Sequence, residues 1–423
     1  MKKSELNRLE RELQKFLGSL VVGQGRPERR AALEEYVMGL LLDGDRKSVG
    51  PMAARLVDDP KEADGVRQRL QQCLSGSAWD ERGLWRGLAM KAEAELPDLE
   101  ALVVDDTGFA KKGDKSPGVA RQYSGTLGRT DNCQVATSLH LAGEAGSACI
   151  GLRLYLPEAW TDDRERCRKA AVPDEVVFQK KWQIALALID NALSAGVRKH
   201  VVLADAGYGD VPDFRDGLVD RRLLYVVGVQ SSHHVWPPGA RIRPPERTGG
   251  PGRPQIRWAA PKGQQHISIA ELAASLTYRR VVWREGTKGP QSSRFAAVRV
   301  RSAERHIHRR PPGDEQWLIC EWPVQEDAPT KFWFSNLPAK TALRRLVQLA
   351  KLRWRIERDY QDLKQEIGLD HFEGRSWVGF HRHALLCSVA HAFLAIRRAL
   401  FPPEHDPLDA PHGPSRSSVR SAA

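Results

Sequence analysis

Two apolar, β-branched runs in this 423-residue chain each carry aspartate at one end, and they limit what the chain can fold into. The first is Leu99–Asp106, with the sequence LEALVVDD, and the second is His200–Ala206, with the sequence HVVLADA. Short apolar runs rich in valine predict buried strands. We therefore expect both runs to lie in a core, with their carboxylates at the ends of the strands.

Further runs along the chain indicate a mixed sheet. Strands are expected at Asn132–Leu141 and Ser147–Tyr155, and a long helix is expected at Asp174–Ala195. Another apolar strand is expected at Leu223–Val229. This order of strands and helices is typical of an α/β fold with a mixed sheet.

The pattern also divides the chain into domains. The helical spacing of leucines predicts a small helical domain over residues 1–95, with a basic turn of the size found in a helix-turn-helix. We interpret it as a DNA-binding domain, and the alternative is a helical domain with solvated basic faces. The core is expected over residues 96–230 and 338–400, and residues 401–423 are expected to be a disordered tail. Residues 231–337 predict a β-rich insertion with strands at Arg279–Arg284, Arg294–Val300, Trp317–Trp322 and Lys331–Ser335.

The composition limits the partners and the compartment. Lys plus Arg total 65 against 53 for Asp plus Glu, a formal net charge of +12, which suits nucleic acid, a membrane surface or an acidic substrate, or is a solvated basic surface. The charged N-terminus has no signal-peptide core, and Ala384–Ile396 is too short to span a membrane. The 6 cysteines form no C-x-x-C pair, which is typical of a reducing compartment. We expect a soluble cytoplasmic protein.

Acidic residues at three places are candidates for one metal site. They are Asp105 or Asp106, then Asp205, and then Glu357 in the helical segment LAKLRWRIERDYQDLKQEIG. Carboxylates and water are the ligands that Mg²⁺ prefers, and a pair of such ions about 4 Å apart supports phosphoryl transfer. Only one of Asp105 and Asp106 can face the cleft, because neighbouring side chains on a strand point to opposite faces.

The segment around Glu357 has a second pattern. Arg353, Glu357 and Lys364 are spaced i, i+4 and i+11, so an ideal helix places them within about 40° of one another. Beside them runs an apolar stripe made of Ile356, Tyr360, Leu363 and Ile367. We expect the basic side chains to reach phosphates on either side of a metal-bound carboxylate. The alternative is an amphipathic helix with an exposed Arg–Glu pair.

Three sequence blocks carry a resemblance to a known family. The blocks VVDDTGFAKKG, VVLADAGYGD and RWRIERDYQDLKQEIGLDHFEGRSW resemble the catalytic blocks of bacterial insertion-sequence transposases of the DDE type. The third block resembles the group with the signature Y-(2)-R-(3)-E-(6)-K, which Arg353, Glu357 and Lys364 match. Ala350 stands at the Tyr position, a departure that leaves the metal ligands unchanged. The resemblance extends over residues 30–395.

The resemblance implies a DNA transposase with an RNase H-like catalytic core. Its second Asp would follow the fourth strand, and its Glu would lie on a late helix. It implies that Asp105, Asp205 and Glu357 hold two Mg²⁺ ions, with Mn²⁺ as a substitute, and that Arg353 and Lys364 position phosphates. Asp106 remains the alternative first ligand. The implied partners are the double-stranded ends of the mobile element, target DNA and a second copy of the chain in a dimer on DNA.

The resemblance also draws attention to residues that could contact DNA. Basic residues after the first block are candidates for holding phosphates, or form a solvated basic loop: Lys111, Lys112, Arg121 and Arg129. The insertion carries tryptophans that could stack on a displaced base, none of which we assign: Trp236, Trp258, Trp283, Trp317, Trp322 and Trp333. Alternatives to a transposase are an inactive transposase-derived DNA-binding repressor and an RNase H-like nuclease without strand transfer. A glycosidase with paired carboxylates is disfavoured by the basic excess.

Overall fold

A computed structural model of the chain describes residues 3–244, 258–286, 289–304 and 312–401. Residues 402–423 of the predicted tail lie outside the described residues. In the described part of the chain the fold is α/β, with one large mixed sheet and helices on it. The predicted fold class is confirmed.

The sheet has 12 strands over the described residues. Its order is β2-β3-β1-β5-β6-β12-β11-β10-β7-β8, with β4 beside β3 and β9 beside β10. The strands are β1 Leu99–Ala110, β2 Ala120–Ser124, β3 Arg129–Gly143, β4 Ser147–Leu154, β5 Val201–Ala204, β6 Tyr225–Val229, β7 His234–Trp236, β8 Ile267–Ser268, β9 Arg279–Gly286, β10 Gly289–Ser302, β11 Gln316–Trp322 and β12 Lys331–Ser335.

The strands around β1 form the RNase H-like core. Strand β3 is antiparallel to both β1 and β4, whereas β5 is parallel to both β1 and β6. The order β4-β3-β1-β5-β6 therefore combines an antiparallel half with a parallel half. Asp205 follows β5, which is the fourth strand of this core in chain order, as expected. The short strand β2 is an extra pairing with the first residues of β3.

The first aspartates lie within a strand, and the prediction that they end it is wrong. Strand β1 continues past Asp106 to Ala110, because its antiparallel pairing with β3 continues as far as the pair Ala110 and Cys133. The buried side chains of Thr107 and Phe109 keep this extension in the core. Asp105 consequently has Ser138 of β3 as its direct cross-strand neighbour.

In the described part of the chain, helices lie before β1, on the faces of the sheet and after β12. They are α1 Lys3–Val21, α2 Pro27–Leu41, α3 Val49–Arg55, α4 Ala63–Ser75, α5 Glu81–Glu95, α6 Glu158–Thr161, α7 Arg164–Lys169, α8 Lys181–Ala195, α9 Ala206–Gly209, α10 Pro212–Asp220, α11 Ile269–Ala274, α12 Leu343–Leu352, α13 Trp354–Gln361 and α14 Trp377–Leu400, with a 3₁₀ turn at Pro60–Glu62. The helix predicted over Asp174–Ala195 begins only at Lys181, after the loop that contains Pro173.

The N-terminal helices share a core with α14. Helices α2, α4 and α5 pack against α14, and the rings of Phe16 and Phe393 lie 5.4 Å apart. Helix α14 is long and apolar enough to cross a membrane by length and composition, but 72% of its most apolar window is buried inside the protein. Its apolar character is therefore explained by its place as the core helix against which the N-terminal helices pack. The division of the chain at residue 95 stays a prediction.

The helical segment around Glu357 is not one continuous α-helix. Helix α12 ends at Leu352, α13 begins at Trp354, and a π-helical turn at Asp362–Glu366 follows. Such turns insert an extra residue into a helix and occur often at functional sites. The angle expected between Glu357 and Lys364 on an ideal helix consequently does not apply. The predicted apolar stripe does face the core, since Ile356, Leu363 and Ile367 are fully buried.

The strands of the predicted insertion continue the same sheet. Strand β12 pairs with β6 of the RNase H-like core, β11 pairs with β12, and β10 pairs with β11. All four strands expected in this region are present as β9, β10, β11 and β12. The residues between Asp205 and Glu357 thus extend the hydrogen-bonded ladder of the core outward from β6.

The turn that follows Asp205 is packed directly on β6. A side chain at Gly209 would overlap the carbonyl oxygen of Gly228, which is backbone and cannot move aside. We expect Gly209→Ala to lower the free energy of unfolding by about 2 kcal/mol, measured by urea denaturation, because it overpacks the core. Gly113→Ala is the control, since a Cβ there meets nothing within 4 Å. Equal stability of the two variants would contradict the close approach.

Candidate active site

Asp105 and Arg353 form the centre of the site. The Asp105 carboxylate faces the break between α12 and α13, and its Oδ2 lies 2.5 Å from Nη1 of Arg353. Burial raises the pKa of Asp105 to about 7, although the Arg353 guanidinium acts in the opposite direction. The neighbouring Asp205 and Asp106 carboxylates raise it further. A single guanidinium therefore does not fully compensate the negative charge gathered here.

Asp205 lies beside Asp105 because β1 and β5 are parallel neighbours. The pair Val103 and Leu203 is in register, and each aspartate follows two residues later. Burial raises the pKa of Asp205, and Arg353 opposes the shift. Its Oδ1 atom is buried and has no hydrogen-bond partner among the described residues.

These observations fit a divalent cation at the two aspartates. Two adjacent, half-buried carboxylates with raised pKa values, one of them with an unpartnered buried oxygen, are costly unless a positive charge compensates them. Carboxylate oxygens are the ligands that Mg²⁺ and Mn²⁺ prefer. Asp105 and Asp205 would hold such an ion.

Among the described residues, Glu357 is joined to this pair only through Arg353. Nη2 of Arg353 lies 3.4 Å from Oε1 of Glu357, whose side chain is 69% exposed. In the part of the chain that the structure describes, no three acidic, His or Cys side chains are grouped closely enough to hold a metal together. The structure thus brings Asp105 and Asp205 together, with Glu357 at the edge of the site on the other side of the guanidinium.

Asp106 faces away from Asp105 and has its own partners. Its Oδ1 accepts hydrogen bonds from Tyr208 and from Oγ1 of Thr137, the latter at 3.0 Å, and its Oδ2 lies 2.9 Å from Nζ of Lys181. Tyr208 belongs to the turn that begins at Asp205. Asp106 therefore ties the Asp205 turn to β1, whereas Asp105 faces Arg353.

Lys364 reaches the same strand from the π-helical turn. Its Nζ donates to the carbonyl oxygen of Gly108 at 2.7 Å and lies 5.0 Å from the centre of the Phe109 ring. Burial lowers the pKa of Lys364 to about 8. Arg353 and Lys364 thus both lie along β1, near residues 105 and 108.

The lowered pKa of Lys364 predicts a pH dependence of DNA binding. The ammonium loses its proton as the pH rises through about 8, so a phosphate held by Lys364 would lose about tenfold in affinity between about pH 7 and about pH 9. We expect Lys364→Arg to flatten this profile, because arginine stays protonated. Fluorescence anisotropy at fixed ionic strength measures the affinity, and Lys340→Arg, at an exposed lysine, is the control. A wild-type profile in Lys364→Arg would contradict the phosphate role.

The other basic candidates are distributed over the loop after β1 and the β2–β3 hairpin. Lys112, Arg121 and Arg129 are exposed, and Arg129 pairs with Asp131 at 2.8 Å. Lys111 is half-buried and donates from Nζ to the carbonyl oxygen of Phe372 at 3.3 Å. The exposed three can meet DNA without rearrangement, whereas Lys111 joins β1 to the loop before α14. Of the candidate tryptophans, Trp236 is buried and the other five are half-buried.

A family comparison identifies the chain. A family model described as "DDE superfamily endonuclease" matches residues 16–290, well over half of the chain. The chain belongs to the DDE superfamily endonucleases. The resemblance to DDE-type transposases is thereby confirmed, together with the RNase H-like core.

A curated relative of this DDE endonuclease agrees with the family model. The chain is 32% identical over 203 residues to a probable transposase for insertion sequence element IS701 from Microchaete diplosiphon. The alignment covers 47% of this chain and 48% of the relative, so it spans about half the length of that protein. Asp105 and Asp205 lie inside the region that the family model matches, and Glu357 lies beyond it. The narrower Y-(2)-R-(3)-E-(6)-K signature stays a prediction.

Several polar residues of this DDE endonuclease were missed by the reasoning from sequence. Lys181 and Tyr208 contact Asp106, and Tyr360 donates or accepts a 2.7 Å hydrogen bond with Ser138, the cross-strand neighbour of Asp105. Tyr208 and Tyr360 each follow a candidate ligand by three residues, Asp205 and Glu357 respectively. That spacing was a usable signal, but Tyr360 was assigned only to the apolar stripe. The contact of Lys181 depends on how α8 meets the sheet.

Proposed function

We propose that this DDE endonuclease is a DNA transposase that cleaves and joins strands at the ends of its own insertion sequence. The observation that supports this most strongly is the pair of half-buried, adjacent carboxylates of Asp105 and Asp205 beside Arg353, within the region of the family match. The relative with the printed name of a probable transposase supports the same activity.

The proposed metal ligands are Asp105, Asp205 and Glu357, with two Mg²⁺ ions or Mn²⁺ in their place. Bound there, the cations would activate an attacking oxygen and stabilise the leaving oxygen of a phosphodiester. Asp105 is preferred over Asp106 as first ligand because Asp106 is already occupied by Tyr208, Thr137 and Lys181. For Glu357 to join the pair, the Arg353 guanidinium must leave its position between the carboxylates and contact a DNA phosphate instead.

The remaining parts of the proposal concern DNA. We assign Arg353 and Lys364 to phosphates at the cleaved strand, and Lys111, Lys112, Arg121 and Arg129 to the flanking duplex. The helical residues 1–95 would bind the element's inverted repeats, residues 96–230 and 338–400 would form the catalytic core, and residues 231–337 would be the insertion. The protein would act as a dimer on double-stranded DNA in the bacterial cytoplasm, with an affinity that falls with salt.

A cleavage and joining assay tests the proposal. The substrate is a labelled duplex carrying the DNA that flanks the coding region, incubated with the full chain and Mg²⁺ or with a chelator. A transposase yields metal-dependent nicks at the element end and then joined products with a second duplex. Binding without cleavage would instead indicate a transposase-derived repressor, and cleavage without joining would indicate a nuclease.

A further inference from the structure

The short helix α13 carries the exposed acid Glu357, the buried Asp359 and the half-buried Tyr360. Asp359 is 5% exposed and Glu357 is 69% exposed, although they are two residues apart. Helix α13 follows a break at Arg353 and precedes the π-helical turn, so it is not a regular continuation of another α-helix at either end. Its position on the sheet must be set by the side chains beneath it.

Asp359 is held by side chains from three other elements. Its Oδ2 lies 2.6 Å from Nδ1 of His140 on β3, and its Oδ1 accepts from Oγ of Ser147 on β4 at 2.6 Å. His391 of α14 approaches the same Oδ1 at 3.8 Å. A buried carboxylate is stable only where such partners surround it. The contacts of Asp359 therefore fix both the distance of α13 from the sheet and its rotation about its own axis.

Tyr360 continues this network to the strand that carries Asp105. The Tyr360 hydroxyl lies 2.7 Å from Oγ of Ser138, which in turn lies 3.1 Å from Nε2 of His140. Ser138 and Asp105 are directly opposed on β3 and β1, so their side chains share one face of the sheet. The network therefore extends from α14 through α13 to the cross-strand neighbour of the first proposed metal ligand.

We infer that Asp359 and Tyr360 are positioning residues that set the place of Glu357 relative to Asp105, through His140, Ser147 and Ser138. This rests on the proposed function, in which Glu357 is the third metal ligand. Neither residue touches DNA or metal in this role. They hold α13 in place from its buried side. Glu357, which lies two residues before Asp359 and three before Tyr360, therefore returns to one position when Arg353 leaves its contact with Asp105.

The test compares Tyr360→Phe with a matched loss elsewhere, Tyr36→Phe. The Tyr36 hydroxyl likewise makes one side-chain hydrogen bond, with Nδ1 of His383 at 2.9 Å, but it joins α2 to α14. We expect a similar fall in urea midpoint for both variants. We expect only Tyr360→Phe to weaken Mn²⁺ binding, by about tenfold as for other residues that orient metal ligands, measured by electron paramagnetic resonance. Wild-type Mn²⁺ affinity in Tyr360→Phe would overturn the inference.

A double-mutant cycle shows whether the effect passes through Glu357. In a Glu357→Gln background, Tyr360→Phe should cause no further loss of Mn²⁺ affinity, because the ligand that it positions is already gone. A tenfold loss that persists there would overturn the inference, since Tyr360 would then act on Asp105 directly. Asp359→Asn, which keeps the shape and removes the charge, should behave like Tyr360→Phe. Absence of DNA cleavage by a wild-type protein that binds Mn²⁺ would instead refute the proposed function alone.

Discussion

Asp205→Asn should reduce strand cleavage by about a hundredfold to a thousandfold while leaving the protein at least as stable as the wild type. The amide is isosteric but loses the charge that a divalent cation needs, and the cation accounts for several kcal/mol of transition-state stabilisation. Stability should not fall, because burial raises the pKa of Asp205 in the folded protein. A carboxyl with a raised folded-state pKa stabilises the fold when protonated, and this contribution is lost as the pH rises through its folded pKa. The neutral amide avoids that loss.

The measurements are single-turnover cleavage of the flanking-end duplex and Tm at pH 8. Asp220→Asn, at an exposed residue at the end of α10, is the control for an amide on the surface. Cleavage at the wild-type rate by Asp205→Asn would remove Asp205 from the metal site. A large fall in Tm would mean that the carboxylate is structural, in conflict with its unpartnered Oδ1.

Glu357→Gln should reduce cleavage by at least about a hundredfold without changing the free energy of unfolding by more than about 0.5 kcal/mol. The side chain is 69% exposed and its ion pair with Arg353 has an N–O distance of 3.4 Å, so little stability depends on it. Duplex binding should be retained, because the substitution removes a negative charge from a basic surface.

The control for this variant is Glu366→Gln, at an exposed glutamate in the π-helical turn. The cleavage rate is measured as a function of Mg²⁺ concentration for both. The hypothesis that Glu357 is the third ligand fails if the two variants have the same rate and the same Mg²⁺ dependence.

The core strands could be predicted from the sequence because their apolar runs are local and long. Val103, Val104, Val202 and Leu203 are all buried as expected, and the aspartate that follows each run lies where the parallel pairing of β1 and β5 brings it. The end of β1 could not be predicted, because it depends on how far β3 continues to pair. A strand boundary of this kind is a property of the partner strand and not of the run itself.

The candidate site was only partly predictable for a similar reason. Glu357 and Arg353 could be selected from their spacing, but the break at Arg353 and the π-helical turn cannot be read from helical periodicity. These two irregularities turn Arg353 toward Asp105 and Lys364 toward Gly108. Asp106 differs from Asp105 because it contacts Lys181 and Tyr208. Both partners are far away in sequence, so this difference could not be predicted.

The pairing of β12 with β6 limits which truncated versions of this protein can fold. Every residue of β6 is buried, and β12 covers its outer edge with the pairs from Phe332 and Val229 to Ser335 and Val226. A shortened version without residues 231–337 would leave β6 as an apolar edge strand with unpaired backbone amides and carbonyls. Such an edge can pair with strands of other chains and cause aggregation. Any minimal fragment intended to retain the Asp205 turn must therefore keep β12, or replace it with another capping strand.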